Sequence, residues 1–184
     1  MKQKASILRL TLTLLVITSV VSAVLAGVNM LTKDKIAAMQ EKKTLDAVAQ
    51  VMEGDATLLT DVPCEGMIQA VYDCANGYAI QVNTVGFGGD MVMIVGVTHA
   101  GEVTGVSIIS HTETAGLGAV AADDSAKGKA FREQFTQLTG PFAVTKDGGQ
   151  VDAITGATVT SRAVTQGINA ALEFAEFLDG EDWS

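Results

Sequence analysis

The sequence predicts an α+β fold: one amino-terminal transmembrane helix, then a domain with an antiparallel sheet and flanking helices. Three observations lead to this prediction. No charged residue lies between Leu10 and Leu31, and a helix of that length crosses a hydrocarbon core of about 30 Å. Short runs rich in β-branched residues, separated by glycine-containing turns, follow in the middle of the chain. Apolar residues at helical spacing return after Thr158.

The composition indicates one acidic domain behind a basic amino-terminal tail. At 184 residues the chain has room for one core. The formal net charge is −9, but residues 1–32 contain three bases and no acid, so residues 33–184 carry 9 bases and 21 acids, a net charge of −12. A surface this acidic repels polyanions, and we expect no nucleic-acid partner.

The charge-free stretch is predicted to be a retained membrane anchor. Lys2, Lys4 and Arg9 precede it, which by the positive-inside rule leaves the amino end in the cytoplasm and everything after Thr32 on the extracytoplasmic side of the inner (plasma) membrane. The alternative is a cleaved signal peptide, because Val24-Leu25-Ala26 suits a small-residue cleavage site. The apolar stretch exceeds the usual ~7–15 residues of a signal peptide, which favours the anchor.

Residues 33–52 have the pattern of an amphipathic helix, since apolar residues recur between Lys, Asp and Glu. The chain is therefore expected to divide into three segments. These are a cytoplasmic stub with the anchor (1–31), an amphipathic connecting helix (32–60) and a globular domain (61–184).

The first half of the globular domain is predicted to be a β-meander. Asn76-Gly77 is a strong hairpin signal, Gly86-Phe87-Gly88-Gly89 marks a bend, and Ala100-Gly101-Glu102 marks another turn. The predicted strands are 67–74, 78–82, 91–98 and 103–110. We interpret the glycines around Gly86 as turn residues, because no Gly-Lys-(Ser/Thr) phosphate-loop sequence follows them.

The second half is predicted to contain a helix, a hairpin and a final helix. The first helix covers residues 122–138 and ends before Gly140-Pro141. Turn residues at 146–150 then separate two short strands, 142–145 and 151–154. The carboxy-terminal helix carries apolar residues at helical spacing: Val164, Ile168, Ala171, Leu172, Ala175 and Leu178.

The final helix is preceded by a stretch of small and hydroxyl residues, Asp152-Ala-Ile-Thr-Gly-Ala-Thr-Val-Thr-Ser161. Thr158 or Thr160 is a natural N-cap. The unpaired amides and partial positive charge of a helix N-terminus would also favour an anion such as a phosphate, without any lysine nearby. The small residues permit close approach of a ligand, and the hydroxyls offer hydrogen bonds or a point of covalent attachment. On spacing alone, a simple cap is the commoner explanation.

This stretch closely resembles the flavinylation motif Asp-x-x-(Ser/Thr)-Gly-Ala-Thr of the FMN-binding-domain family. The resemblance implies an extracytoplasmic FMN-binding domain in which Thr158, the last residue of the motif, is joined to FMN by a phosphodiester. A separate flavin transferase would make that bond. Asp152 either serves this enzyme or begins the turn. The neighbouring motif residues are expected to contact the cofactor: Thr155, Gly156, Ala157 and Thr160.

A second stretch, His-Thr-Glu-Thr-Ala-Gly-Leu-Gly at 111–118, resembles the His-x-Glu-Thr-Pro-Gly-Leu-Gly loop that lies against the flavin ring in the same family. Ala115 replaces the usual proline, which costs about 0.4–1 kcal/mol of preorganisation. Taken alone, a histidine and a strand-end glutamate are seldom acid–base catalysts, and no catalytic residue is assigned. The expected cofactor contacts are His111, Glu113, Thr114, Gly116, Leu117 and Gly118.

Cys64 and Cys74 are predicted to remain free thiols. The mostly extended chain between them spans on the order of 30 Å, whereas a disulfide requires Cα atoms within about 7 Å. Only a sharp fold-back near Glu65-Gly66 would bring them together. Neither cysteine has a second ligand at the spacing of a zinc or iron–sulfur site, so we expect no metal.

Anchor, length and both motifs together resemble the G component of the Rnf-type ion-translocating ferredoxin:NAD⁺ oxidoreductases. The resemblance implies an electron-transfer subunit with covalent FMN rather than a complete enzyme, and its partners would be other membrane subunits of the complex. Two alternatives stay open. One is the C component of the Na⁺-translocating NADH:quinone reductase, which is usually longer. The other is a membrane-anchored binding module without redox function, in which the threonine-rich turn is only a cap.

Overall fold

The computed structural model of the chain describes residues 2–136 and 138–180, and their side chains from residue 9 onward. The chain divides into two compact units, residues 1–42 and residues 43–184. Helix α1 (Lys2–Val51) begins in the first unit and ends in the second. Residues 43–60, expected in the connecting segment, therefore belong to the second unit.

The part of α1 in the first unit has the character of a membrane span. Every side chain from Arg9 to Leu31 is exposed, and the most apolar window of the helix has a mean hydropathy of 2.2 with none of it buried. The hydroxyls of Thr13, Thr18 and Thr32 donate to backbone carbonyls one turn earlier, with oxygen–oxygen distances of 2.8–3.0 Å. These internal bonds satisfy the hydroxyls without water, which suits a helix that is long and apolar enough to cross a membrane.

The second unit is built on a five-stranded antiparallel meander in the order β1-β2-β3-β4-β5. The four longer strands lie close to their predicted positions. Strand β1 was not predicted, because it is a four-residue edge strand with no apolar alternation. The bounds are β1 Ala56–Leu59, β2 Ile68–Cys74, β3 Gly77–Val85, β4 Asp90–Thr98 and β5 Val103–His111.

The two central strands are buried on both faces. On one face Ile80, Val82, Met93 and Val95 form the main core with the final helix. On the other face Ala79 and Ile94 pack in a second core with the last turns of α1, which contribute Ala47, Val48, Val51 and Met52. The Thr104 hydroxyl donates to the Val51 carbonyl at 2.5 Å and fixes the end of α1 to β5. Burial on both faces explains why β4 reads as a nearly unbroken apolar run.

The segment after β5 is less helical than predicted. The helix expected over 122–138 is wrong at both ends: a 3₁₀ turn covers Gly118–Ala121, and α2 runs only over Ala126–Glu133. Its N-cap is Ser125, whose hydroxyl oxygen accepts from the Gly128 amide at 3.1 Å. The capping residue therefore sets the beginning of the helix, inside the predicted range.

The hairpin expected at 142–154 is also wrong. Val144 and Val151 form a single bridge with parallel pairing. Residues Thr145–Asp147 between them form a 3₁₀ turn that ends at Gly148, whose φ is 83°. Both valines are buried in the core. Val144 and Val151, which resembled residues of two strands, instead pack in the core at the two ends of one loop.

Helix α3 (Thr158–Gly180) packs across β3 and β4. The Thr84 hydroxyl donates to the Ala163 carbonyl at 3.2 Å near its start. Near its end the Tyr78 hydroxyl donates to Asp179 at 3.0 Å. Burial, aided by this hydrogen bond, raises the pKa of Tyr78 to about 12. Both ends of α3 are thus fastened to β3, which fixes the position of Thr158 relative to the sheet.

Cys64 and Cys74 are free thiols. Cys64 is half-buried and Cys74 is buried with 6% of its surface exposed. Burial raises the pKa of both thiols above the ordinary value, so little thiolate is present at neutral pH. Among the described residues, no group of three His, Cys, Asp or Glu side chains is arranged to hold a metal ion.

Candidate functional site

The two sequence motifs meet at one edge of the sheet. Strand β5 ends at His111, and the loop that follows it reaches the turn that precedes α3. Leu117 packs over Gly156, where an added Cβ would lie 3.1 Å from the leucine Cδ2. Two stretches that are about forty residues apart in the sequence therefore form one surface.

Glu113 joins three segments of this surface. One carboxylate oxygen accepts the Gly88 amide at 3.1 Å, and the other accepts the Thr160 hydroxyl at 2.8 Å. Thr112 strengthens the same junction, because its hydroxyl donates to the Gly88 carbonyl at 2.9 Å. Hydrogen bonds to a charged group are the strong ones. Glu113 thus holds the loop against both the turn before β4 and the first turn of α3.

Glycines make room for this carboxylate. A Cβ on Gly86 or Gly118 would collide with the Glu113 carboxylate, and a Cβ on Gly88 would collide with the Thr112 carbonyl. The glycines at 86 and 88 were interpreted from sequence only as turn residues. Their contact with Glu113 shows that they also shape the candidate site.

The turn before α3 presents the motif. The Ile154 carbonyl accepts the Ala157 amide at 2.9 Å, and Gly156 has φ 81°, the conformation that a type II turn requires at its third residue. Ser161 is buried beneath this turn. Its oxygen accepts the Ile154 amide and its hydroxyl donates to the Ala157 carbonyl, both at 3.0 Å. Turn and helix are therefore one rigid unit.

Thr158 is the first residue of α3 and is half-buried. The prediction that Thr158 or Thr160 is the N-cap is wrong, because both lie within the helix and Ala157 precedes it. Thr160 is only 1% exposed, and its hydroxyl donates to Glu113. A lysine also lies beside Thr158, because Lys146 donates from Nζ to Thr158 Oγ at 3.0 Å. The 3₁₀ turn at 145–147 brings it there, and nothing in the local sequence around Thr158 signals it.

The next residue of the same turn makes a second contact with α3. Asp147 accepts two hydrogen bonds from the Arg162 guanidinium, each at 2.6 Å. This pairing holds the pKa of Asp147 below its usual range. Arg162 lies one turn after Thr158, so Lys146 and Asp147 form hydrogen bonds with successive turns of the helix.

The remaining predicted residues occupy the rim. His111 is half-buried, and its Nδ1 accepts the Glu113 amide at 3.3 Å. Thr114 is exposed, and its carbonyl accepts the Leu117 and Ala119 amides at 3.1 and 3.2 Å. The exposed Thr155 and Gly156 form the turn, Ala157 is buried beneath it, and Gly116 lies exposed in the loop with φ 75°. Asp152 is tied by its backbone to the Gln134 side chain at 2.7 and 3.2 Å.

This surface combines hydrogen-bond donors that suit an anion with exposed apolar side chains. The amides of the first turn of α3 lack intrahelical partners and face an anion favourably, and Lys146 adds a positive charge beside them. Apolar side chains stand around the same site, where Phe87, Leu117 and Val159 are 74, 45 and 47% exposed. A planar ring would cover such side chains, while a phosphate would lie at the helix end.

Two cavities lie near the carboxy-terminal end of α3. One, of about 550 Å³, is lined by His99, Pro141 and Asp179 among others. Another, of about 590 Å³, is lined by Met67, Phe174 and Phe177 among others. The candidate site lies at the other end of the helix, where Thr158 is half-buried and its neighbours Thr155 and Val159 are exposed.

Comparisons with known proteins agree with this geometry. A family model described as the FMN-binding domain matches residues 86–173, which begin at the glycine turn and include both motifs. A second model, described as the RnfG N-terminal region, matches residues 1–51 and so covers α1.

Curated relatives extend the similarity to nearly the whole chain. The G component of the ion-translocating oxidoreductase complex of Methanosarcina acetivorans is 28% identical over 98% of this chain and 100% of its own length. The protein of the same description from Cereibacter sphaeroides is 34% identical over 84% of this chain and 78% of its own. The G component of the proton-translocating ferredoxin:NAD⁺ oxidoreductase complex of Clostridium ljungdahlii is 41% identical, but the match spans only about half of each chain (52% and 51%).

The contact between Thr160 and Glu113 predicts a stability effect. Thr160→Val keeps the shape of the buried side chain and removes its hydrogen bond to the carboxylate. We expect it to lower the free energy of unfolding by about 1.5–3 kcal/mol. Thermal unfolding of the full-length protein in detergent measures this. The exposed Thr155→Val is the control and should change stability by less than about 0.5 kcal/mol; equal effects of the two substitutions would contradict the role of Glu113 as the junction.

Proposed function

Since this chain belongs to the RnfG family of ion-translocating oxidoreductase complexes, we propose that it is the electron-transferring FMN subunit of such a complex, with the FMN joined to Thr158. One observation carries the proposal: the loop at 111–118 and the turn before α3 meet at the Glu113 junction, next to a threonine hydroxyl that has a lysine beside it. The flavin ring is proposed to contact this loop, and the phosphate to lie at the start of α3.

The surroundings of the motif hydroxyls favour Thr158 as the attachment point. The hydroxyls of Thr160 and Ser161 are buried and occupied by Glu113 and the Ala157 carbonyl. Thr155 is exposed on the turn. Thr158 combines a half-buried position at the helix start with a cationic neighbour, and a phosphodiester there would meet both the free amides and the Lys146 ammonium.

The loop at 111–118 is proposed to seat and tune the ring without holding it covalently. When bound, FMN supplies the ability to accept and release electrons one or two at a time. The chain contributes the Glu113 carboxylate, whose position is fixed by Gly88 and Thr160, and the exposed Leu117. A fixed negative charge near the ring would disfavour the added charge of reduction.

The family supports the proposed partners, and the sequence supports the proposed topology. The relatives are named as subunits of ion-translocating, proton-translocating or ferredoxin:NAD⁺ oxidoreductase complexes, so we propose that other membrane subunits of an Rnf-type complex exchange electrons with this one. The names of these relatives favour the Rnf-type G component over the C component of the quinone reductase. The basic residues before the membrane span favour an extracytoplasmic domain, and a covalent link would there prevent loss of a cofactor that a separate flavin transferase had installed.

Replacing the attachment residue tests the proposal. Thr158→Val keeps the side-chain shape but removes the oxygen, so we expect a folded, membrane-inserted protein with no flavin fluorescence in a denaturing gel after coexpression with the transferase. Thr155→Val should retain its fluorescence, and Thr160→Val should retain part of it. Fluorescence that survives in Thr158→Val would place the flavin elsewhere.

The proposed role of Glu113 predicts an electrochemical effect. Glu113→Gln removes the charge but keeps the size of the side chain. Its carbonyl oxygen can still accept the Gly88 amide, and its NH₂ group can donate to the Thr160 oxygen. We expect the covalent flavin to remain and its reduction potential to rise, as measured by redox titration. Glu102→Gln removes the same charge from the exposed turn after β4 and should leave the potential unchanged. Loss of the flavin in Glu113→Gln would show that the loop is needed for attachment and would contradict this division of roles.

Thiol labelling in intact cells tests the orientation. A membrane-impermeant maleimide should label the half-buried Cys64 from outside, whereas the buried Cys74 should react only after unfolding. Because burial raises the pKa of Cys64, its labelling rate should increase with pH. As a control, Ser6→Cys in a Cys64→Ser, Cys74→Ser background should be labelled only after lysis. The reverse pattern would mean that the domain faces the cytoplasm.

A further inference from the structure

Lys146 lies beside the proposed attachment hydroxyl, although it belongs to a different turn of the fold. Its ammonium nitrogen lies 3.0 Å from Thr158 Oγ. Twelve residues separate the two in sequence, so the contact depends on the path of the chain between them. Among the described residues, no carboxylate forms an ion pair with Lys146.

The turn that carries Lys146 is fixed from both sides. The Val144–Val151 bridge anchors its start in the core. Asp147 binds the Arg162 guanidinium through two hydrogen bonds of 2.6 Å, which ties the turn to the second turn of α3. This pair also neutralises Arg162. Of the two cations near the start of α3, Lys146 is therefore the one whose charge is available to Thr158.

We propose that Lys146 is a positioning residue for flavin attachment, orienting the Thr158 oxygen before the reaction and neutralising the phosphodiester after it. The inference rests on the proposed attachment of FMN at Thr158. A threonine side chain that is free to rotate presents its oxygen in more than one direction, and the ammonium hydrogen bond selects one. Because Lys146 donates this bond, the hydrogen on the threonine oxygen stays available to a base.

The reaction balances without any redox change. With FAD as the donor, a bond forms between Thr158 Oγ and the phosphorus of the FMN moiety, and the bond from that phosphorus to the bridging oxygen breaks. AMP leaves with the bridging oxygen, and the hydroxyl proton passes to a base of the transferase or to water. The product carries one negative charge next to the Lys146 ammonium, where an ion pair with the phosphodiester replaces the hydrogen bond to the uncharged threonine oxygen.

The test is the rate of flavin attachment to the full-length protein in detergent, with purified transferase, FAD and Mg²⁺, followed by in-gel flavin fluorescence. Lys146→Gln should lower kcat for attachment roughly 10- to 100-fold, as expected for the loss of one charge-assisted hydrogen bond. Lys146→Arg keeps the charge and should recover most of the rate. Lys129→Gln, which removes an exposed lysine of α2, should behave like the wild-type chain.

Stability separates positioning from folding. An exposed contact of this kind adds little to stability, so Lys146→Gln should melt within a few degrees of the wild type while its attachment rate falls. An unchanged rate in Lys146→Gln, an equal loss in Lys146→Arg, or a higher KM at unchanged kcat would each overturn the proposal. The last result would mean that Lys146 only docks the transferase. A wild-type chain that acquires no flavin on Thr158 would overturn the proposed function together with this inference.

Discussion

The candidate site depends on one carboxylate. Glu113 accepts hydrogen bonds from Gly88 and Thr160 and thereby connects the turn before β4, the loop after β5 and the start of α3. Each of these segments belongs to a different part of the chain, and Glu113 hydrogen-bonds to the other two from the loop. Small residues at 86, 88 and 118 are required around the carboxylate because a Cβ there would collide with Glu113 or its loop. The pattern of glycines and the position of Glu113 are thus one structural requirement.

The helix α3 carries the other half of the site, and the sheet determines where it begins. Thr84 and Tyr78 of β3 bind its two ends, Ser161 locks its first turn to the preceding type II turn, and the Lys146–Asp147 turn contacts its outer side. Thr158 is consequently held at a fixed place yet remains half-exposed. A residue that another enzyme must modify needs this combination, because a mobile residue lacks orientation and a buried one lacks access.

Sequence patterns predicted the meander and the final helix, since these depend on local periodicity and turn chemistry. The same patterns gave wrong predictions where tertiary contacts determine the local structure. Val144 and Val151 resembled strand residues but anchor a 3₁₀ turn, and Ser125 starts α2 later than the apolar spacing indicated. The motifs identified Glu113 and Thr158 as site residues, but neither Gly88 nor Lys146 was recognised. Both contacts join residues distant in sequence, and local spacing carries no information about them.

We propose that FMN is carried covalently on Thr158 of a membrane-anchored subunit. Peptide mass spectrometry of the full-length protein, purified from cells that contain the flavin transferase, tests it most directly. We expect an FMN phosphoryl adduct on Thr158 and unmodified Thr155 and Thr160. An adduct on either of those residues, or a native protein without any covalent flavin, would contradict it.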